Sequence, residues 1–383
     1  MSLPPMQTIR PNIAPTAAIK RRRLLSFAAG AAGLQVLGCA NPSAHGPATV
    51  TLPNVLGATG NEKPLARIAF GSCIDQTKPQ PLWAPILASQ PDLFILGGDN
   101  VYASKQPFDI ANTHLAYATL AANEGFAQLR AAVPMFATWD DHDYGLNDGG
   151  AGFEHKQASK DAFLKFLDAP PNDPRRSRDG VYHAVSYGSV GQRVQIILLD
   201  NRWFLSKWKP TDQRDAPGKE RYVPDTDPSK TILGAAQWAW LETQLKQPAD
   251  VRIVVSGIQV LADGHGWERW GNFPMERQKL YDLITSTQAN GVVFLSGDRH
   301  IGAVYKETIK MPHPLYEITS SGMTHPWKEA KEAGPNRVGE LFTDLHYGMV
   351  ELDWAKRLIK LQLRDAQGVV RREQVVAIAA LQR

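Results

Sequence analysis

Five short apolar runs, each stopping abruptly at polar or acidic residues, recur from residue 67 onward and set the terms for any fold this chain can adopt. The first two are Ile68-Ala69-Phe70 before Gly71-Ser72-Cys73, and Leu93 to Leu96 before Gly97-Gly98-Asp99-Asn100-Val101-Tyr102. Met135 to Thr138 precedes Trp139-Asp140-Asp141-His142-Asp143, Val194 to Leu199 precedes Asp200-Asn201-Arg202, and Val292 to Leu295 precedes Ser296-Gly297-Asp298-Arg299-His300. Each run has the length of a buried strand. Between them lie helical patterns at Leu82, Trp83, Ile86 and Leu87, at Leu115 to Leu129, at Trp238, Leu241 and Leu245, and at Leu280 to Ile284. Alternating strands and helices predict an α/β sheet in which ligands gather beyond the carboxyl ends of strands, so five polar tips can converge on one cleft. A single Gly-Asp tip is more often a solvated loop; five in succession argue for a site.

The tips carry Asp99, Asp141, Asp298, His142, His300, Cys73 and Tyr102. Carboxylates, imidazoles, a thiolate and a phenolate are too rich in negative charge to share a site without cations. Two metal ions sharing one carboxylate would bind an anionic ester and lower the pKa of a bridging water, a chemistry suited to phosphoryl hydrolysis. Cys73 has two other readings, a small buried hydrophobe or a nucleophile. His142 beside the ions can protonate a leaving alkoxide or clamp the phosphate. Arg202, just past a strand, has the planar fork for two phosphate oxygens, and Asp200 either orients it or caps the strand end. The Walker and G-x-G-x-x-G patterns are both missing.

Weaker candidates sit in the loops. His265 and His325 follow strands in Gly- or Pro-marked turns and either line the cleft, His325 then touching substrate, or belong to surface loops. Trp267, Trp270, Phe273 and Trp327 wall a pocket for a lipid or aromatic leaving group or simply pack. Pro170 to Asp179 and Lys207 to Lys230 read as rim loops, and Arg175, Arg176 and Arg178 in the first either greet an anionic substrate or are solvated. The tail from Tyr347 to Ile378 reads as a strand pair turning at Asp365-Ala366-Gln367-Gly368 and completing a sheet edge.

Gly-Ser-Cys, Gly-Asp-x-x-Tyr, Trp-Asp-Asp-His-Asp, Leu-Asp-x-Arg and Ser-Gly-Asp-x-His, in this order, resemble the motifs of the alkaline phosphatase D (PhoD-like) metallophosphatases of the calcineurin-like superfamily. The resemblance spans about residues 67 to 327 and includes Leu233-Gly234-x-x-Gln237-x-x-Trp240-Leu241 and Thr319-Ser320-Ser321-Gly322. It implies an α/β fold, an αββα sandwich of two mixed sheets flanked by helices, and a site pairing Fe(III) with Ca(II), other divalent metals remaining open. Carried over, Cys73, Tyr102 and His300 resemble ligands of the iron, with Asp99 bridging both ions. Asp141 and Asp298 resemble ligands of the second ion, with Asn147 in reserve because it follows the histidine later here than in relatives. The implied reaction is hydrolysis of a phosphate mono- or diester by metal-activated hydroxide.

The leader completes the expectation. Lys20 to Arg23 precede a mainly apolar stretch from Leu24 to Gly38, and Arg21-Arg22 before Arg23-Leu24-Leu25 resembles a twin-arginine export signal. Val36-Leu37-Gly38-Cys39 resembles a lipobox, which would anchor the chain to a membrane through Cys39; ordinary cleavage near Ala40 or Ala44 is the alternative. Residues 1–39 are thus read as an export signal, 40–66 as a tether with a strand-like piece at Ala48 to Leu52, and 67–383 as the metallophosphatase domain. Five of the 42 basic residues lie in the leader with no acid, leaving 37 basic against 38 acidic residues in the body. That balance offers no global field for nucleic acid. The expected protein is an exported monomer, periplasmic or at the cell surface, acting on a small phosphoester or a phospholipid. A non-catalytic anion-binding envelope lipoprotein and a Cys-nucleophile hydrolase are the rival readings.

Overall fold

The structure, a computed structural model, describes residues 62–332 and 334–382. The leader, Cys39 and the Ala48 to Leu52 piece lie outside the described residues. The chain runs through β1 (Arg67–Gly71), α1 (Trp83–Ala88), β2 (Leu93–Gly97), α2 (Ile110–Ala122), α3 (Glu124–Ala132), β3 (Met135–Thr138), α4 (Asp141–Tyr144) and α5 (Lys156–Phe166). It continues with β4 (His183–Tyr187), β5 (Val194–Leu198), α6 (Gly234–Leu245), β6 (Val251–Ser256), α7 (Pro274–Ser286), β7 (Val292–Ser296), β8 (Gly302–Glu307) and β9 (Leu315–Ser320). Four strands close it: β10 (Arg337–Phe342), β11 (His346–Asp353), β12 (Leu358–Asp365) and β13 (Val370–Ala377).

These strands form two mixed sheets, β13-β12-β11-β1-β2-β3 and β10-β8-β9-β7-β6-β5-β4. Side chains alternate between the faces of a strand, and in the second sheet this alternation sorts residues into two cores. Val194, Ile196 and Leu198 of β5, with Val293 and Leu295 of β7, join the core shared with the first sheet and with α1, α2, α3 and α5. Ile197 of β5, with Val292 and Phe294 of β7, packs instead with Trp238, Leu241 and Leu245 of α6 and Leu280 and Ile284 of α7. Helices therefore cover both outer faces, the layering expected of an αββα sandwich.

The five apolar runs are strands, but they divide between the sheets: β1, β2 and β3 in one, β5 and β7 in the other. Alternation marks a strand as buried without saying which sheet it joins. β1, β2 and β3 run parallel, as do β5, β6, β7 and β9. Their carboxyl ends meet across the junction: Ser72 N–H donates to Ser320 O at 3.1 Å and Thr138 Oγ1 to Leu199 O at 2.6 Å. At Gly257, just past β6, a Cβ would lie 2.7 Å from Asp140 Oδ1, so the two sets of tips approach too closely for a side chain there.

Three sequence expectations change. The Leu115 to Leu129 pattern is two helices, because Asn123 turns extended and its side chain accepts from Phe126 N–H to cap α3. The tail holds three strands, not a pair; β11 lies inside the sheet against β1, and only β13 is an edge. In the Pro170 to Asp179 loop, Arg175 is fully buried against Asp173 (2.7 Å), and the Arg178 guanidinium sits 3.9 Å from the Tyr182 ring centroid, so neither serves the cleft. The Lys207 to Lys230 loop does reach it, folded back by a bridge between Pro210 and Tyr222.

Candidate metal centre

The strand tips deliver their side chains through an unusual backbone. Cys73, Asp99, Asp298 and His300 take left-handed φ values of 62°, 47°, 67° and 55°. Such a conformation costs a non-glycine residue about 1–3 kcal/mol and persists only where the surroundings impose it. Gly98, at φ 105°, turns β2 sharply enough to present Asp99, and a Cβ there would meet Asp140 Cβ at 2.8 Å.

Asp99 is the hub. Its Oδ2 accepts from the Cys73 thiol at 3.6 Å and the Tyr102 hydroxyl at 3.3 Å, while its Oδ1 accepts from His142 N–H at 3.2 Å. Gln76 pins Tyr102 by accepting from its N–H at 2.8 Å and donating to its carbonyl at 3.1 Å. Ligand atoms of Asp99, Asp141 and His142 lie within 4.8 Å of one another, and those of Asp141, Asp148 and Glu268 form a second such group. Asp298, His300 and Asn147 line the same cleft, a cavity of about 330 Å³.

Without a counter-ion the donors are pushed toward their neutral forms. Burial raises the Cys73 thiol well above its usual value, with the Asp99 and Asp298 charges adding to it. Burial raises Tyr102, aided by Cys73 and Asp99, and raises Asp99 itself, aided by Asp141 and Asp140. Asp298 goes to about 7, mainly by burial. Asp141 is the exception: despite burial, His142, Arg202 and the Asp148 N–H hold it at about 2. His300 is lowered to about 3, first by burial and then by His325 and Arg299, so its imidazole is neutral and able to ligate.

Buried polar atoms normally have partners. Here Asp141 Oδ1, Asp140 Oδ2 and His300 Nδ1 are buried without a hydrogen-bond partner among the described residues. Orphaned acceptors beside crowded acids fit cations, which would favour the ionised ligands and supply the missing partners. Cys73 and Tyr102, which meet at Asp99, would hold one ion and Asp141 with Asp99 a second, while Asp298 and His300 line the same cleft outside the groups whose ligand atoms lie within 4.8 Å of one another. Asn147 lies on the cleft wall beside Asp148.

His142 faces the cleft with Nδ1 tied to Ser104 Oγ at 2.7 Å and its ring stacked 4.0 Å from that of Tyr102. Arg202, expected to anchor phosphate, does not reach the cleft. It is fully buried, its Nε donating to Asp140 Oδ1 at 2.5 Å and its two Nη atoms to the Glu268 carboxylate at 2.8 Å each. Asp200 does not orient that guanidinium but caps the strand end, accepting from the Arg202 and Trp203 N–H groups and from Trp139 Nε1. His325 lies behind the site, 4.4 Å from the His300 ring and 4.8 Å from Tyr102, and opens onto a separate hollow beside Lys328 and Arg371, so it is not placed to grip substrate in the cleft. His265 is buried and bonded to Gln259 Oε1 at 2.9 Å.

Several cleft residues escape a strand-tip reading. Asp148 gives its N–H to Asp141 Oδ2 at 2.8 Å and accepts from Tyr222 Oη at 2.5 Å and Arg221 Nη1 at 3.1 Å. Arg221, Tyr222 and Glu268 also line the cleft, as does Arg299 from the fifth tip. The Asn147-Asp148-Gly149-Gly150 turn was the available signal for Asp148; nothing local marked Glu268 or Arg221.

Two expectations follow for stability. Arg202→Met leaves Asp140 and Glu268 buried without their cation and should destabilise the fold by about 3–5 kcal/mol in urea denaturation; wild-type stability would mean that Arg202 is not the internal counter-ion described here. The second concerns pH in chelator-treated protein. Burial raises Asp140 to about 6, Asp298 to about 7 and Asp143 to about 8, so each gives stability at low pH that is lost as pH climbs through its folded value. His300 and His346, lowered to about 3 and 4, act oppositely, and their contribution is complete above their ordinary value of 6.5. Between pH 6.5 and 8 the carboxyls therefore act alone: the melting temperature of the stripped protein should fall across that window, and added metal should diminish the fall. An unchanged slope on adding metal contradicts the reading.

The family model for PhoD-like phosphatases matches residues 69–340. A curated relative, alkaline phosphatase D of Bacillus subtilis (strain 168), is 25% identical over 215 residues, covering 50% of this chain and 35% of its own length. This chain thus aligns with about a third of that relative. Among solved structures, PhoD superposes with a TM-score of 0.64 at 19% identity, covering 85% of this chain and 70% of the other. A purple acid phosphatase from yellow lupin (Lupinus luteus) seeds superposes with a TM-score of 0.56 at 12% identity, covering 83% and 55%. Those superpositions agree on the two-sheet calcineurin-like fold, and the family match spans well over half of the sequence: the chain belongs to the PhoD-like phosphatase family.

Proposed function

We propose that this chain is an exported, metal-dependent phosphoesterase acting on phosphate mono- or diesters. The convergence of Cys73 and Tyr102 on one oxygen of Asp99, beside orphaned atoms of Asp141 and His300, carries the reading. Thiolate and phenolate together favour a ferric ion, and the oxygen-rich side formed by Asp141, Asp298 and Asn147 favours calcium. Such a pair, when bound, supplies a polarised phosphoryl group and a water of lowered pKa.

The chain's own groups do the rest. Ser104 fixes the His142 ring through Nδ1, leaving the opposite nitrogen with no protein partner among the described residues, so His142 can hand a proton to the departing alkoxide. Arg221 replaces Arg202 as the phosphate contact: its side chain is a third exposed and lines the cleft, with Nη1 held by Asp148. The leader at residues 1–39 supports delivery to the periplasm or cell surface, with Cys39 available for lipidation.

The cysteine-nucleophile alternative fares worse. Cys73 Sγ is surrounded by Asp99, Ser72 and Tyr102, and burial together with the Asp99 and Asp298 charges drives its thiol away from the reactive anion. The group that accepts from it is the Asp99 carboxylate, which burial and the neighbouring acids push toward its neutral form.

Asp99→Asn should remove bound metal and lower turnover of p-nitrophenyl phosphate and its bis ester by more than about 100-fold, beyond the loss usual for outer-shell changes. Purified active protein should carry a visible charge-transfer band that disappears with the iron. Retention of both metal and turnover in Asp99→Asn would overturn the bridging role, and colourless, iron-free active protein would overturn the iron assignment.

A further inference from the structure

Of the four aromatics flagged in the sequence around residues 267 to 327, the structure separates two from the others. Trp270 and Phe273 are buried in the core with α6 and α7. Trp267 and Trp327 stand on the cleft wall in the same cavity as Asp99, Asp141, Asp298 and His300. Their rings meet edge to face, centroids 6.0 Å apart at 81°. Trp327 is 36% exposed, and its N–H donates to the His300 carbonyl at 2.7 Å, so it is tethered directly to a predicted ligand.

Guanidinium groups bracket the pair. Arg221 lies 5.0 Å and Arg299 4.8 Å from the Trp267 ring, and Arg299 lies 5.9 Å from Trp327. The loop behind them is braced: Asn272 Nδ2 donates to the Trp267 carbonyl at 2.8 Å, and Trp267 N–H to His265 Nδ1 at 3.2 Å. That contact gives the buried His265 a role as a support for the wall. Two braced indoles therefore line the cleft without needing to be ordered on binding.

A cavity of about 330 Å³ accommodates a phosphoryl group and one ring. A flat aromatic ring can stack or meet these indoles edge to face, whereas a small polyol would desolvate them without compensation. We propose that Trp267 and Trp327 form the subsite for the organic portion of the ester and select a flat aromatic group over a saturated or compact one. This rests on the phosphoesterase reading, since the two indoles share their cavity with the acids to which that reading assigns the phosphoryl group.

Titration calorimetry of the metal-loaded protein with methyl-, cyclohexyl- and phenylphosphonate tests it, because the three share a phosphoryl group and need no turnover. Phenylphosphonate should bind about three- to tenfold more tightly than cyclohexylphosphonate, the span expected for aromatic geometry beyond buried area. The phenyl preference should collapse toward one in Trp327→Ser and in Trp267→Leu. Equal phenyl and cyclohexyl affinities in the wild type, or a preference that survives both substitutions, overturns the subsite while leaving the phosphoesterase reading intact. Failure of all three phosphonates to bind defeats that reading and the subsite with it.

Discussion

Too many acidic donors at one buried junction is the condition from which the other features of this molecule follow. Asp99, Asp141 and Asp140, with the Cys73 thiol, lie where two sheets present their strand ends to each other. Burying such groups together is unfavourable unless positive charge is supplied. The protein supplies part of it internally: Arg202, wholly enclosed, spans Asp140 and Glu268. Around Asp99 no buried arginine ion pair of that kind is found among the described residues, and the left-handed backbone at four donors shows that the fold bears local strain to hold them there.

Two layers of charge thus serve different ends. The inner layer of Asp140, Arg202 and Glu268 is joined by ion pairs and ties the β3 and β5 tips to the Trp267 segment, Glu268 also reaching the cleft wall. The outer layer opens to the cleft, where Arg221 and Arg299 stand over Trp267. The loop that carries Arg221 is held to the site by Asp148, which also gives its N–H to Asp141, so the recognition surface and the ligand set share a residue.

Much of this was legible in the sequence, for a physical reason. A buried strand that stops at Gly-Asp or Gly-Ser-Cys leaves its polar residue at the strand end, and strands of β/α order point those ends the same way, which sets Asp99, Asp141, Asp298 and His300 on one cleft with Cys73 against Asp99. Partition between two sheets could not be read this way, since β5 and β7 read like β1 and β2. Arg202 was misassigned because a strand-end arginine looks the same whether it faces solvent or a buried acid, and its partner Glu268 lies 66 residues further along the chain. Arg221 was hidden within a long polar loop, where no periodicity distinguishes a cleft residue from a solvated one. The aromatic wall was visible only as four candidates; burial alone separated Trp270 and Phe273 from Trp267 and Trp327.

The most direct test is anomalous X-ray diffraction from crystals of the purified protein, recorded on both sides of the iron edge. One anomalous peak should lie among Cys73, Asp99, Tyr102 and His300, with a second ion among Asp99, Asp141 and Asp298. A well-ordered crystal of active protein in which these side chains contact one another but no metal would contradict the account at its root.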